Sequence, residues 1–203
     1  MKKINLTLLL LFSALTSLAQ TTPERILANG IKVMSAPTGI EANFTVNNSG
    51  YSGKGLIRTM ANKYNVILPE VEVWYNGKDL FTANKNTNET TIVDPTQEEL
   101  VESNPLAYVT NAPATYNVNY STVKKEGKYV LELLPKKKGG DIKRITLTLN
   151  KANYYPEKIV VEPVSGPPIS AEIISFKTGI SFQPSDFEYP KSKFLKFEIV
   201  DLR

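Results

Sequence analysis

From Ile40 to the C-terminus, apolar and polar residues alternate with a period of two over most of the chain. In EANFTVNNS, Ala42, Phe44 and Val46 fall on one face and Asn43, Thr45 and Asn47 on the other, the spacing of a half-buried strand. KYNVILP aligns Tyr64, Val66 and Leu68 in the same way, and VEVWY aligns Val71 with Val73. Between VEVWY and DLFTANK stands Asn76-Gly77, a pair that tolerates positive φ and predicts a tight hairpin turn. The chain then breaks into a polar run. Alternation resumes in ATYNVNYSTV, KYVLELLPK, DIKRITLTLNK, YPEKIVVEPV, PISAEIISFKTG and FLKFEIVDLR, for about eleven strands in one antiparallel run.

Two stretches follow a helical period instead. In TTPERILANGIKVMSAPTG, Leu27, Ile31 and Met34 form one apolar stripe. Thr22 suits the N-cap, Pro23 the first helical position and Glu24 the positive helix end. Pro37 and Gly39 terminate it. The stretch from Asp94 to Pro113 predicts one or two short helices, broken near Pro105 and closed by Pro113, with Leu100, Leu106 and Val109 apolar. One large sheet with so little helix cannot cover its apolar face by lying flat. It must curl around the helices or around a ligand.

Composition narrows the classes. MKKINLTLLLLFSALTSLA has a basic start, an apolar run and small residues before Gln20, the pattern of a secretory signal peptide cleaved after Ala19. It is too short for a lasting membrane anchor. Residues 20–203 then form one exported domain, soluble in the periplasm. An outer-membrane barrel needs longer uninterrupted lipid-facing rows than these Lys- and Glu-broken strands supply. The chain has no cysteine and no histidine. Disulfides, a lipid-modified N-terminal Cys, Ser-His-Asp and Cys-His arrangements and nearly all zinc or copper sites are thereby excluded. Glu70/Glu72 and Glu98/Glu99 leave a carboxylate-only hydrolase open, but the first pair fits a solvent-facing strand row and the second the acidic first turn of a helix. With 24 Lys and Arg against 20 Asp and Glu, the charge balance gives no support for nucleic-acid binding. The basic run PKKKGGDIKR (135–144) falls where a turn belongs, as a solvated turn or a docking patch for an anionic surface.

Several short motifs recur in a particular order. The N-terminal helix leads into EANFTV; GKGLIRTMANKYNVIL is a Gly-led strand followed by an aromatic-centred one; NGKDLF, with Asn76 for Asp, is an Asp-Gly-x-x-Leu-aromatic hairpin. LELLPK, SDFEY and the terminal EIVDLR follow the helical insert. This series resembles the LolA family of periplasmic outer-membrane lipoprotein carriers over nearly the whole mature chain. The resemblance implies a mainly β (α+β) fold, an incomplete antiparallel barrel closed by the N-terminal helix and a short helical lid. It implies a monomeric carrier, not an enzyme, with no cofactor or metal. Its partners are acylated lipoproteins, an inner-membrane lipoprotein-release complex and an outer-membrane lipoprotein acceptor. Alternation and the resemblance together select Phe44, Val46, Tyr64, Val66, Leu68, Val71, Val73 and Phe81 as the lipid-binding cavity. Leu27, Ile31, Met34, Leu100, Leu106 and Val109 are selected as the lid. The chain departs from the family at one point. The Arg that latches the lid belongs near Ala61 or Asn62, where there is none, and Arg58 lies too early to take its role. An exported lipocalin-like module for another hydrophobic ligand remains the alternative.

Overall fold

The computed structural model describes residues 21–203; the signal peptide and its cleavage after Ala19 lie outside the described residues. The chain opens with α1 (Pro23–Met34), whose N-cap Thr22 accepts a hydrogen bond from the Arg25 amide at 3.3 Å. A meander follows: β1 (Gly39–Asn48), β2 (Tyr51–Met60), β3 (Lys63–Ile67), β4 (Val71–Tyr75), β5 (Leu80–Asn84) and β6 (Glu89–Val93). Next come α2 (Gln97–Glu102), α3 (Ala107–Thr110) and α4 (Ala112–Thr115). The second meander is β7 (Tyr116–Tyr120), β8 (Lys128–Pro135), β9 (Ile142–Asn150), β10 (Pro156–Pro163) and β11 (Ile169–Ile180). Two 3-10 turns (Pro184–Phe187 and Lys191–Phe194) lead to β12 (Glu198–Asp201).

All twelve strands join one sheet in the order β12-β6-β5-β4-β3-β2-β1-β11-β10-β9-β8-β7. The two meanders meet where β1 pairs with β11. β12 and β7 are left as free edges, so the antiparallel barrel is incomplete. One close approach sits near that seam. Gly55 pairs with Phe44, and a Cβ at Gly55 would fall 2.4 Å from the Phe44 ring and 2.8 Å from Leu68. Gly55, inside β2, gives that ring room.

Four details differ from the sequence expectations. The strand missed was β6: ETTIV mixes Thr and Glu with its apolar residues, so its two faces have little contrast, although Thr90 is fully buried. The C-terminal strand spans only Glu198–Asp201 and runs parallel to β6. The turn after β4 has four residues, not two, because Tyr75 pairs with Leu80. There Gly77 takes φ +97°, while Asn76 Oδ1 accepts from the amides of Lys78 (3.0 Å) and Asp79 (2.9 Å). The insert forms three helices. α2 starts with a reciprocal Thr96–Glu99 capping box, and Pro113 lies within the first turn of α4 instead of closing the insert.

Strand parity gives the sheet two apolar faces. One packs against the helices. The other, over β4–β6, carries Trp74, Phe81, Ala83 and Ile92 and is covered by Tyr189 and Phe194 of the C-terminal segment. Phe81 stacks on Tyr189 with ring centroids 5.4 Å apart, and Trp74 meets Tyr189 and Phe194 edge-on. Glu72 is 2% exposed beneath this strap instead of facing solvent; Lys193 reaches it at 2.6 Å and Lys85 at 2.8 Å. Burial pushes the Glu72 carboxyl up, but hydrogen bonds from Lys193 and Lys85 outweigh it and leave the pKa below its ordinary value. The stabilisation is therefore present above the ordinary carboxylate range and lost as pH falls through the lowered folded value.

Two outcomes follow from this packing. Gly55→Val forces a side chain into the Phe44 ring and should destabilise the fold by about 1–3 kcal/mol in urea titration; an unchanged midpoint would show that the sheet absorbs it. Lys193→Met should cost about 1.5 kcal/mol, the low end for a charged hydrogen bond because Lys193 is half exposed. It should also speed trypsin cleavage after Lys191 and Lys196. Equal cleavage rates would mean that the Lys193–Glu72 pair does not hold the strap.

Candidate functional site

The helix-covered face is assembled from residues of eleven strands, β1–β11. Phe44, Tyr64, Val66 and Val73 are buried in the main core, and Val46, Leu68 and Val71 are half-buried against it. From the helices, Leu27, Met34, Leu106 and Val109 join the same core, with Ile31 and Leu100 half-buried at its margin. Thirteen of the residues selected from sequence thus come together around one interface.

Phe81 does not. The β4–β5 register opposes Tyr75 to Leu80 and Trp74 to Phe81, so Leu80 enters the helix-covered core and Phe81 lies under the C-terminal strap. Any turn here with an even number of residues places Phe81 on the Trp74 face. Sequence reasoning also left out the far half of the helix-covered face. Leu131 and Leu133 on β8, and Ile145, Leu147 and Leu149 on β9, are fully buried there. The clean alternation of RITLTLN carried that signal.

The contact between helices and sheet is almost wholly apolar. Among the described residues, three side chains of the strands and their turns hydrogen-bond to the helical segments. Tyr64 Oη lies 2.5 Å from Ser103 Oγ, at the C-cap of α2. The Tyr120 hydroxyl donates to the Thr21 carbonyl just before α1. Lys136 Nζ donates to the Pro113 carbonyl at 2.8 Å. α2 itself has no fully buried residue, and Tyr64–Ser103 holds it to the sheet together with the half-buried Leu100. No arginine takes part. Ala61 and Asn62, where the family latch was expected, form the turn between β2 and β3, with Ala61 at φ +53°. Arg58 pairs across the strands with Glu41 at 3.0 Å, on the face away from the lid, since its neighbour Ile57 is the residue that enters the core.

Three cavities border the helices, among them one of about 310 Å³ between α1, α4 and β7, lined by Leu27, Ala28, Pro113 and Val118; the other two are larger. One, of about 380 Å³, lies between lid and sheet; Met34, Tyr64, Tyr75, Leu100 and Leu106 share its wall with Lys63, Gln97, Asn104 and Asn111, so its lining is as polar as it is apolar. The other, of about 370 Å³, is walled by α4 and the β8–β9 turn through Ala114, Tyr116, Pro135 and Ile142, with Lys136 and Lys137 at its rim. Among the described residues no cluster of three or more Cys, Asp or Glu is arranged to hold a metal ion, and no helix is long and apolar enough to cross a membrane.

A family model described as outer membrane lipoprotein carrier protein LolA matches residues 15–163. The chain belongs to the LolA family. An uncharacterized conserved protein of Thermus thermophilus shares the LolA-like fold of this chain at 12% identity. The match covers 88% of this chain and 98% of that one, with a TM-score of 0.59. A LolA superfamily protein of Nitrosomonas europaea is 13% identical over 83% and 98% of the two chains, with a TM-score of 0.44. A chain of the Pseudomonas aeruginosa MucA/MucB complex is 13% identical over 81% and 59%, at 0.42. No curated protein sequence matches.

The Tyr64 phenol is pushed up to about 12, chiefly by burial, with the Ser103 hydrogen bond opposing and Tyr75 adding. The neutral phenol is the form the fold favours. Its contribution is intact below pH 10 and is lost as pH rises from 10 to about 12. Tyr64→Phe should speed amide hydrogen exchange in α2 about two- to tenfold at neutral pH, the equivalent of one ordinary hydrogen bond. The parent protein should show the same acceleration only on alkaline titration. Unchanged exchange in α2 would show that the apolar contacts alone hold it.

Proposed function

We propose that the protein carries acylated lipoproteins through the periplasm, holding their acyl chains between the lid helices and the sheet. It would receive them from an inner-membrane release complex and pass them to an outer-membrane acceptor. Residues 20–203 act as one unit in this role, and the chemistry is binding alone. The observation that supports it most directly is the character of the lid contact: apolar side chains on both sides and three side-chain hydrogen bonds. An apolar interface with so few directional ties can exchange its partner. An acyl chain offers the sheet the same kind of surface that the helices offer.

Magnitudes agree with a reversible carrier. A sixteen-carbon chain gains about 13 kcal/mol on leaving water, at ~0.8 kcal/mol per methylene. Lifting Ile26, Leu27, Met34, Leu106 and Val109 from the sheet forfeits about 2–3 kcal/mol each, roughly 12 kcal/mol together. The small difference lets cargo load and also leave. A second reading has its own support: the cavities of about 370 and 380 Å³ beside the closed lid have the size of small-ligand sites, as a lipocalin-like binding module would use.

Native mass spectrometry of protein taken from the periplasm of a lipoprotein-producing host, followed by lipid extraction, separates the two. Acylated protein or peptide is the expected passenger; a small free lipid would favour the binding module. A photocrosslinking residue at Val46 or Val71 should capture triacylated peptide, and the same residue at Phe81 should not. An empty protein that takes up no triacylated peptide in vitro would sink the carrier reading.

A further inference from the structure

We propose that two neighbouring hairpin tips, the β8–β9 turn (136–141) and the β10–β11 turn (164–168), form a docking face for the surface of an anionic phospholipid bilayer. This goes beyond cargo binding and does not depend on what the cargo is.

The tips are knit into one surface. The Val164 amide donates to the Asp141 carbonyl at 2.7 Å, and Ile142 pairs with Pro163 where the strands begin. Between Pro135 and Lys143 the chain places four lysines, Lys136, Lys137, Lys138 and Lys143, against the single acid Asp141. All four are exposed, and none forms an ion pair among the described residues. Arg144, next in line, is already neutralised by Glu162 at 2.7 Å. The positive charge of the tip is thus uncompensated from within the molecule.

A solvated turn would account for lysines alone. It does not account for the apolar residues beside them. Val164 is 68% exposed, and Leu134 and Ile169 are exposed at the same end of the sheet. Pro167 and Pro168 stiffen the second tip, so presenting Val164 costs little further ordering. Basic side chains flanking exposed aliphatic ones fit a bilayer interface. The ammonium groups meet lipid phosphates, and the aliphatic groups enter the boundary between headgroups and acyl chains. The cavity walled by Tyr116, Pro135 and Ile142 lies beside this tip, so a docked protein would hold its lid end against the membrane.

The test is flotation of the purified mature protein with phosphatidylcholine vesicles with and without phosphatidylglycerol, at low and high salt. The parent should float with the phosphatidylglycerol vesicles at low salt, less at high salt as the Debye length contracts, and not with phosphatidylcholine alone. Lys137→Glu with Lys138→Glu, two side chains that make no hydrogen bond to the lid, should reduce partitioning about 25-fold or more, about fivefold for each lysine lost. Val164→Asp should reduce it further at constant salt. Unchanged thermal unfolding of each variant establishes that the fold is intact. Equal flotation with both vesicle types, no flotation at low salt, or lysine variants that float like the parent would overturn the proposal. Retention on an acidic polypeptide without vesicle binding would also overturn it and assign the tip to a protein partner.

Discussion

The part of the sheet formed by β4–β6 is apolar on both faces, and each face must be covered by something other than sheet. Most of the structure follows from that constraint. Val73 and Leu80 point to one side and Trp74, Phe81 and Ile92 to the other. A chain this size meets the demand with two different covers. The helices lie over the first face. The second is closed by residues 184–203, which cross under the sheet and add β12 to its edge.

The covers differ in chemistry, and the difference decides which of them can move. The C-terminal strap brings stacked rings, a Thr90–Tyr189 hydrogen bond at 2.8 Å and Lys193 seated on the buried Glu72. Removing it would take Lys193 from Glu72, leaving Lys85 as its partner, and would uncover Trp74, Phe81 and Ile92. The helical lid leaves no buried charge behind when it lifts. Its separation exposes aliphatic surface, the kind of surface that the proposed acyl cargo would cover. On the carrier reading proposed above, the helical cover is the one that exchanges and the strap the one that stays, although their apolar side chains are similar in kind.

The architecture was legible because it rests on periodicity. The two-residue alternation of β1, β3 and β9 and the Leu27–Ile31–Met34 stripe of α1 each carry their face in plain view. What stayed hidden depended on face parity across a turn or on distant pairing. Phe81 is the aromatic of the hairpin motif, and the motif says nothing about which face that aromatic takes. Its face follows from its opposition to Trp74, and a one-residue step, to Leu80, exchanges the faces. Glu72 looked solvent-facing because the cover that buries it lies 121 residues away, at Lys193. The Tyr64 hydroxyl was overlooked because a tyrosine in an apolar row reads as packing, and only its partner Ser103 makes it a tie.

The placement of the ties also sets the order in which the lid comes away. α1 is covalently attached at Ser35 and tied at its other end by Tyr120 to Thr21, with Ile26, Leu27, Gly30 and Met34 buried along its length. α4 runs directly into β7, and Lys136 holds its carbonyls. α2 alone has no fully buried side chain, and it sits between β6 and α3 with the Tyr64 hydroxyl at its end. Local opening starts where the fewest apolar contacts are lost. For this lid that place is α2, at the margin occupied by Leu100 and the cavity beside Tyr64. Releasing it uncovers Tyr64 and Tyr75 while α1 and α4 still cover the centre of the face. On the proposed carrier reading, an acyl chain would then advance along the face as the remaining helices yield, without the whole face meeting water at once.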